Sequence, residues 1–348
     1  MYRLVYIFIV LVILLTGCNT EQPSEQVSET RLLLDTFCTI TIHGAVDREL
    51  LYEAFELCAE YEALFSITAP GSDVWCINHA GGEPVVVDSR TIEVIRAGLE
   101  FGELTDGMFD ITIGRLSRLW DFSDAQDGSL SHEIGCCDID DTGDGSLSFV
   151  RHIPTDEEIM QARATVDYRQ VIISGDTVQL LNPDAWIDLG AVAKGYIGDR
   201  LAEFLVERGV TGALISLGGD IIAAGNRRDG EPWRIALRDP FGGLGERLNV
   251  FEITGASVIS SGTYERRFEV DGVIYHHILD PNTGMPVNTD VVSATVVVEN
   301  ALFGEGLSTA AVLLGSERAL ELFGRVEAQG LIRAVLVLEN GEVITFEN

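Results

Sequence analysis

Apolar and polar positions along this chain follow two periods, one typical of strands and one typical of helices. Residues 32–43 alternate between apolar and polar, and residues 291–298 are almost entirely apolar, which predicts a strand in each segment. Three pairs of short strands meet at glycine-containing turns near residues 174–176, 271–272 and 340–341, which predicts hairpins. Helical spacing begins near residues 47, 88, 155, 190, 305 and 316. Because strands and helices do not alternate regularly, we expect an α+β fold with antiparallel or mixed sheets and flanking helices.

The N-terminus has the pattern of an export signal. Arg3 precedes an apolar run that is shorter than the ~20 residues of a membrane span, and small residues follow it. The sequence Leu15-Thr-Gly-Cys18 resembles a bacterial lipobox, in which Cys18 would carry the lipid. An ordinary secretory signal that ends near a cysteine is the alternative. We therefore predict a signal peptide over residues 1–17, a polar tether over residues 18–30 and one folded domain over residues 31–348.

Charge and composition limit the partners of the protein. The formal net charge is −32, which argues against binding of nucleic acid or of an anionic membrane surface, since both attract basic patches. Residues 123–153 are rich in Asp, Gly and Ser and predict a long acidic surface insertion, whose spacing does not meet the EF-hand pattern. Six cysteines in 348 residues do not predict a disulfide framework, and Cys38 and Cys58 fit buried positions.

The segment Ile187-Asp-Leu-Gly-Ala-Val-Ala-Lys194-Gly-Tyr196 holds the first candidate for chemistry. An apolar strand-like run ends at Asp188, the backbone turns at Gly190, and helical spacing follows until Gly209, with Lys194 one turn into the helix. A helix N-terminus offers unpaired N–H groups and a positive dipole end, and Lys194 adds a full charge there. The pattern therefore suits a phosphate group. A common strand-to-helix turn with a solvated lysine is the alternative.

A second candidate lies in the segment Glu305-Gly-Leu-Ser308-Thr309. If a helix begins here, Glu305, Ser308 and Thr309 share one face at positions i, i+3 and i+4. A carboxylate and two hydroxyls are hard oxygen ligands that suit Mg²⁺, which takes only one or two protein carboxylates besides water and phosphate oxygens. Helix capping is the alternative.

Several further segments pair a glycine turn with isolated polar residues, and with the two candidates they form an ordered series. The series is Leu34-Asp-Thr36, Gly107-Met-Phe-Asp110, Asp188-Leu-Gly-Ala-Val-Ala-Lys194-Gly, Ser216-Leu-Gly-Gly-Asp220, Ser261-Gly-Thr-Tyr-Glu265, His277-Ile-Leu-Asp-Pro-Asn-Thr-Gly284 and Leu307-Ser-Thr309. On these seven motifs the chain resembles the ApbE family of FAD:protein FMN transferases, which are bacterial lipoproteins. The resemblance runs from about residue 32 to the end and implies an ApbE-like α+β fold.

The resemblance also implies a reaction and a site. FAD would be split at its pyrophosphate, FMN would be joined through a phosphoester bond to a Thr or Ser of an exported target protein, and AMP would leave. Such targets are subunits of redox complexes and other extracytoplasmic flavoproteins. His277 would be the base that takes the acceptor proton. Mg²⁺ would be held by Ala191 through its carbonyl and by Glu305, Ser308 and Thr309. FAD would be contacted at Leu34, Met108, Phe109, Asp110, Asp188, Lys194 and Leu279.

Two positions depart from the family pattern. The metal motif of the family usually has Asp where this chain has Glu305, and its first motif usually has Met where this chain has Leu34. Glu305 retains the carboxylate ligand, although its side chain is one methylene longer than that of Asp. Leu34 retains the apolar contact.

Two rival functions stay open at this point. An FAD pyrophosphatase would use water as acceptor and release FMN and AMP. A surface lipoprotein that binds flavin without turnover would have no use for metal ligands, which the presence of Glu305 and Thr309 disfavours. In each case we expect the protein to lie outside the cytoplasm, on the cell surface or in the periplasm, anchored to the membrane by the lipid on Cys18.

Overall fold

The computed structural model describes residues 26–44, 48–122, 137–141, 147–151, 153–227, 229–243 and 245–348. The predicted signal peptide, Cys18 and the first part of the tether lie outside these residues. The described helices are α1 (Arg48–Phe65), α2 (Asp73–His79), α3 (Ser89–Leu104), α4 (Gly114–Trp120), α5 (Asp156–Arg163), α6 (Ala193–Glu207), α7 (Ala301–Leu314) and α8 (Ser316–Val326). Within the described part of the chain, no helix combines the length and apolar character needed to cross a membrane.

Seventeen strands are described, and eight of them form one antiparallel sheet. The strands are β1 (Gln26–Leu33), β2 (Thr36–His43), β3 (Val85–Val86), β4 (Cys137–Asp141), β5 (Leu147–Arg151), β6 (Val171–Ser174), β7 (Thr177–Leu180), β8 (Gly212–Leu217), β9 (Asp220–Gly225), β10 (Trp233–Arg238), β11 (Arg247–Ile253), β12 (Ser257–Gly262), β13 (Arg267–Val270), β14 (Val273–His276), β15 (Val291–Val298), β16 (Leu331–Leu338) and β17 (Val343–Glu347). The large sheet has the order β1-β2-β8-β9-β12-β15-β16-β17, and each neighbouring pair is antiparallel. The expected α+β fold is confirmed.

The two faces of the large sheet carry different layers. Successive side chains of a strand point to opposite faces, so Val296 and Val298 of β15 join a core beneath the helices, whereas Val297 joins a second core. The first core packs against helices α1, α3, α6, α7 and α8. The second core lies under the β10–β11 hairpin. Cys38 and Cys58 are buried free thiols within the first core, as expected.

The strand predicted over residues 32–43 is in fact two strands. A turn at Leu34 and Asp35, whose φ angles are 56° and 53°, separates β1 from β2. No glycine marks this turn, so the alternation of apolar residues gave no sign of the break. Strand β1 begins at Gln26, which also shortens the predicted tether, because residues 26–30 pair with β2.

Two helix starts differ from the predicted ones. Helix α6 begins at Ala193 rather than directly after Gly190, so Lys194 lies in its first turn. Helix α7 begins at Ala301, four residues before the predicted start, because the Asn300 side chain accepts a hydrogen bond from Phe303 N (2.8 Å) and caps it. Glu305 therefore lies one turn inside the helix, still on the same face as Ser308 and Thr309.

The predicted insertion over residues 123–153 contains one regular feature in its described part. Strands β4 and β5 pair as an antiparallel hairpin, which the irregular composition of this segment did not predict. The predicted hairpins at residues 174–176, 271–272 and 340–341 are confirmed as β6–β7, β13–β14 and β16–β17.

Candidate active site

The N-terminus of helix α6 is the centre of the candidate site. Its N-cap residue, Val192, has no side chain that could accept a hydrogen bond from the first turn. The Gly195 N–H of that turn instead donates to Glu305 Oε2 at 2.6 Å, so a carboxylate from α7 caps α6. A Cβ on Gly195 would lie 2.3 Å from the Ala301 carbonyl oxygen, which shows how closely the two helix backbones approach.

Lys194, Asp220 and Glu305, which we call the charged cluster, lie together at this helix end. Lys194 Nζ forms an ion pair with Glu305 Oε1 and a longer one with Asp220 Oδ2 (3.4 Å). The Asp220 and Glu305 side chains are 5% and 3% exposed, whereas that of Lys194 is 26% exposed. The cluster thus holds two buried carboxyl groups and one cation that solvent can reach.

The pKa values of the charged cluster reflect this imbalance. Burial raises the pKa of both Asp220 and Glu305, and the attraction of Lys194 lowers it only in part. Burial alone would lower the pKa of Lys194, but the two carboxylates raise it above its ordinary value, so the ammonium stays charged. Lys194 is also the only lysine of the chain, among 23 basic residues.

Three hydroxyl groups lie beside the charged cluster. The Ser261 Oγ of β12 is 2.8 Å from Ser308 Oγ and 3.0 Å from Thr309 Oγ1 of α7. Ser308 also donates to the Glu305 carbonyl oxygen at 3.1 Å. Ser308 and Thr309 therefore contact Ser261, a residue that was not predicted to belong to the site.

The loop before α6 brings Asp188 and Ala191 to the same helix end. Asp188 Oδ1 accepts a hydrogen bond from Gly190 N (2.9 Å), which fixes the turn, and Asp188 N donates to Ile111 O (2.7 Å). Ala191 is partly buried and directly precedes the N-cap residue. Its position suits a backbone contact, since its side chain offers only a methyl group.

His277 directly follows β14, and burial sets its charge state. Burial, with contributions from Arg266, His276 and Lys194, lowers the pKa of His277 to about 3, so the imidazole is neutral at physiological pH. Its Nδ1 is buried and has no hydrogen-bond partner within the described structure. Its backbone N–H donates to Arg266 O at 3.0 Å. The neighbouring His276 is buried and its Nε2 donates to Val287 O at 3.1 Å.

Arg266 links the Leu34 turn to this part of the molecule. Arg266 Nη2 donates to Asp35 O at 3.3 Å, and Leu34 N donates to Glu62 Oε1 at 2.6 Å. The half-buried Leu34 is thereby held near Arg266, whose backbone carbonyl accepts the hydrogen bond from His277 N. The sequence named neither Arg266 nor Asp220 as a site residue. The sequence signal for Arg266 was a basic residue directly after Glu265. The signal for Asp220 was an acidic residue directly after the Gly218-Gly219 turn.

The turn over residues 108–112, which we call the Asp110 turn, differs from the expected ligand-contacting arrangement. Asp110 Oδ1 accepts from Thr112 N (2.8 Å) and Thr112 Oγ1 (2.6 Å), and its Oδ2 accepts from Tyr168 N (2.9 Å). Burial raises its pKa. The chain itself donates to both carboxylate oxygens, so the Asp110 side chain has a structural role in this turn, and its predicted contact with FAD stays a prediction.

Three other predicted flavin contacts lie around the Asp110 turn. Phe109 is buried and its ring centroid lies 5.4 Å from that of Phe101. Leu279 is buried in a third apolar cluster. The half-buried Met108 accepts a hydrogen bond through Sδ from Asn282 Nδ2 (3.0 Å), which joins this turn to the segment that carries His277. Of these side chains, only that of Met108 is available at a surface.

The donor set at the charged cluster fits a magnesium ion. No three His, Cys, Asp or Glu side chains converge as a metal site in the described part of the chain. Mg²⁺ does not need such a group, since it usually takes one or two protein carboxylates and completes its shell with water and substrate phosphate. Glu305 offers a buried carboxylate, and Ser308 and Thr309 offer hydroxyls on the next turn of the same face of α7, which is a set of that kind.

Comparison with known proteins places the chain in a family. The sequence profile of the ApbE family matches residues 34–333. The chain is 32% identical over 313 residues to the FAD:protein FMN transferase of Vibrio cholerae, covering 88% of this chain and 86% of that protein. It is 30% identical over 337 residues to the FAD:protein FMN transferase of Treponema pallidum, covering 90% and 86%.

Solved structures agree with this assignment. The ApbE protein of Thermotoga maritima superposes with a TM-score of 0.78 at 31% identity, covering 92% of this chain and 96% of that one. The flavin transferase ApbE of Vibrio cholerae superposes with a TM-score of 0.75 at 27% identity, covering 94% and 98%. The relatives are named as transferases, and this chain is a transferase as well. The chain belongs to the ApbE family.

Proposed function

We propose that this protein is a Mg²⁺-dependent FAD:protein FMN transferase that modifies an exported acceptor protein. The observation that carries the proposal is the charged cluster at the N-terminus of α6, where the partly exposed ammonium of Lys194 can receive a phosphate beside a set of hard oxygen donors. Phosphoryl transfer depends mainly on charge neutralisation and positioning, and this arrangement supplies both.

The protein would hold the metal through Glu305, Thr309, Ser308 and the Ala191 carbonyl. When bound, Mg²⁺ would neutralise charge on the pyrophosphate of FAD. The side chain of Lys194 would position the same phosphates at the helix end. Asp188 shapes the loop through its bond to Gly190 N and so sets the approach to this end of α6.

His277 would accept the proton of the attacking hydroxyl. Its imidazole is neutral and its buried Nδ1 has no partner, so it can act as a base. A bound pyrophosphate would raise the pKa of His277 towards the working pH, because a nearby negative charge favours the protonated ring. The acceptor oxygen forms a bond to the FMN phosphorus, the bond to the AMP oxygen breaks, and the proton goes to His277.

Mass spectrometry of a candidate acceptor tests the transferase. An exported protein with a suitable Thr or Ser is incubated with FAD, Mg²⁺ and this protein, and we expect its mass to rise by one FMN with release of AMP. Chelation of the metal and Glu305→Ala should each abolish the rise, whereas Glu305→Asp should keep much of it. Equal amounts of free FMN and AMP with an unmodified acceptor would show a pyrophosphatase. Bound FAD that stays intact would show a flavin-binding protein without turnover.

We also propose that Cys18 anchors the protein to the outer side of a membrane. The support is the lipobox-like Leu15-Thr-Gly-Cys18 after an apolar run. Cys18→Ser should move the protein from the detergent phase to the aqueous phase in a partition assay. A variant that stays in the detergent phase would place the anchor elsewhere.

A further inference from the structure

Lys194 forms an ion pair with Glu305 Oε1, a carboxylate oxygen that the proposed metal would need as a ligand. Its Nζ contacts Glu305 Oε1, while Gly195 N–H takes Glu305 Oε2 (2.6 Å). Both oxygens of the only carboxylate among the proposed metal ligands are therefore engaged before any metal binds. An ammonium and a divalent cation repel each other over this distance, so they cannot share Oε1 at low cost.

Asp220 provides a second place for the displaced ammonium. Its Oδ2 already lies 3.4 Å from Lys194 Nζ, and its side chain is only 5% exposed. Its other oxygen, Oδ1, accepts a hydrogen bond from Ser260 N (3.2 Å), which fixes the carboxylate. A small movement of the flexible lysine end would turn the longer ion pair into the shorter one.

We propose that Asp220 is a positioning residue that takes over Lys194 when Mg²⁺ occupies Glu305. Metal binding and phosphate binding are then coupled, because the metal moves the ammonium from Glu305 to a position between Asp220 and the incoming phosphate. The proposal rests on the proposed metal site and adds to it a role for a carboxyl group that no metal contact explains.

The single lysine of the chain makes this exchange directly observable. When the full chain is labelled with ¹⁵N at the lysine side chain, its NMR spectrum should contain one ammonium cross-peak from Lys194. Saturating Mg²⁺ without FAD should shift the cross-peak, with the midpoint that calorimetry gives for metal binding, and the peak should persist because Asp220 still holds the ammonium.

Substitutions separate the exchange from a simple effect of charge. In Asp220→Asn the cross-peak should be present without metal and lost with Mg²⁺, because the freed ammonium exchanges its protons with water. Lys194→Met should bind Mg²⁺ about tenfold more tightly than the unmodified chain, since its competitor is gone. Glu93→Gln is the matched control. Glu93 of α3 accepts a hydrogen bond from Tyr196 of α6, the helix that carries Lys194, and the substitution should leave both measurements unchanged.

Two results would overturn the exchange. One leaves the proposed metal site intact, and the other refutes the metal site as well. If Glu305→Ala loses Mg²⁺ binding but the cross-peak of the unmodified chain does not move with metal, the exchange is wrong and the metal site stands. If Glu305→Ala binds Mg²⁺ as well as the unmodified chain does, the metal site and the exchange are both wrong. The test with the unmodified chain needs no variant to fold.

Discussion

The charged cluster and the Asp110 turn both bury carboxyl groups, but they satisfy them in different ways. Asp110 receives three hydrogen bonds from neutral donors of the chain, two of them from backbone N–H groups. Asp220 and Glu305 share one ammonium that is itself partly exposed. A carboxylate whose partners are all fixed parts of the fold has nothing to exchange. One whose partner is a flexible side chain can exchange it for a metal or a phosphate.

The largest expected effect separates two consecutive histidines, the proposed base His277 and His276, whose ring bonds to the backbone. His277→Ala should lower FMN transfer by about 10²- to 10⁴-fold, the usual contribution of a general base, while FAD still binds. His276→Ala should be mild, because the His276 side chain contacts Val287 O inside the fold. Transfer rate and FAD affinity are measured for both variants. The assignment of His277 as the base would be wrong if His276→Ala abolished FMN transfer, or if His277→Ala lowered transfer only through lost FAD binding.

A smaller effect is expected at Lys194, the cation of the charged cluster. Removing a charged group from phosphate costs about 1.5–3 kcal/mol, so Lys194→Ala should weaken FAD binding roughly 10- to 100-fold in the presence of Mg²⁺. Calorimetry with FAD measures the change, and riboflavin, which has no phosphate, is the control ligand. Unchanged FAD affinity would show that Lys194 serves only its ion pairs with Glu305 and Asp220.

The smallest effect on ligand binding is expected at the Asp110 turn. In Asp110→Asn the amide cannot accept from all three donors, and Tyr168 N would be left facing an NH₂ group. The free energy of unfolding should fall by about 1–3 kcal/mol, with FAD affinity nearly unchanged. Urea denaturation and FAD titration measure the two quantities. A loss of FAD affinity as large as that of Lys194→Ala would place Asp110 in the binding site.

Local signals predicted local structure well. The strand over residues 291–298 has the predicted bounds. The helix predicted near residue 155 is confirmed, and a capping box of Thr155 and Glu158 begins it, with Thr155 N donating to Glu158 Oε2 (2.8 Å). The break at Leu34 and Asp35 was missed, because two residues with positive φ formed the turn without a glycine. Sequence periodicity reports which face is apolar, and it carries no information on such a reversal.

The contacts of the candidate site are long-range, which limited their prediction from sequence. Lys194 and Glu305 are 111 positions apart along the chain, and the sequence named both without a reason for them to meet. Asp220 stood in a named motif, but its role depends on where β9 lies relative to α6. The resemblance to a family indicated residue types and their order, and the fold was needed to show that Asp110 accepts hydrogen bonds from Thr112 and Tyr168.

The absence of a side chain at Gly195 has a consequence for the entropy of ligand binding. With backbones in near contact at this residue, α6 and α7 cannot shift apart without losing the hydrogen bond from Gly195 N to Glu305. The helix N-terminus and the Glu305 carboxylate are therefore held in one geometry before a nucleotide arrives. Little conformational freedom is left to lose at that point, so more of the interaction energy becomes available as affinity.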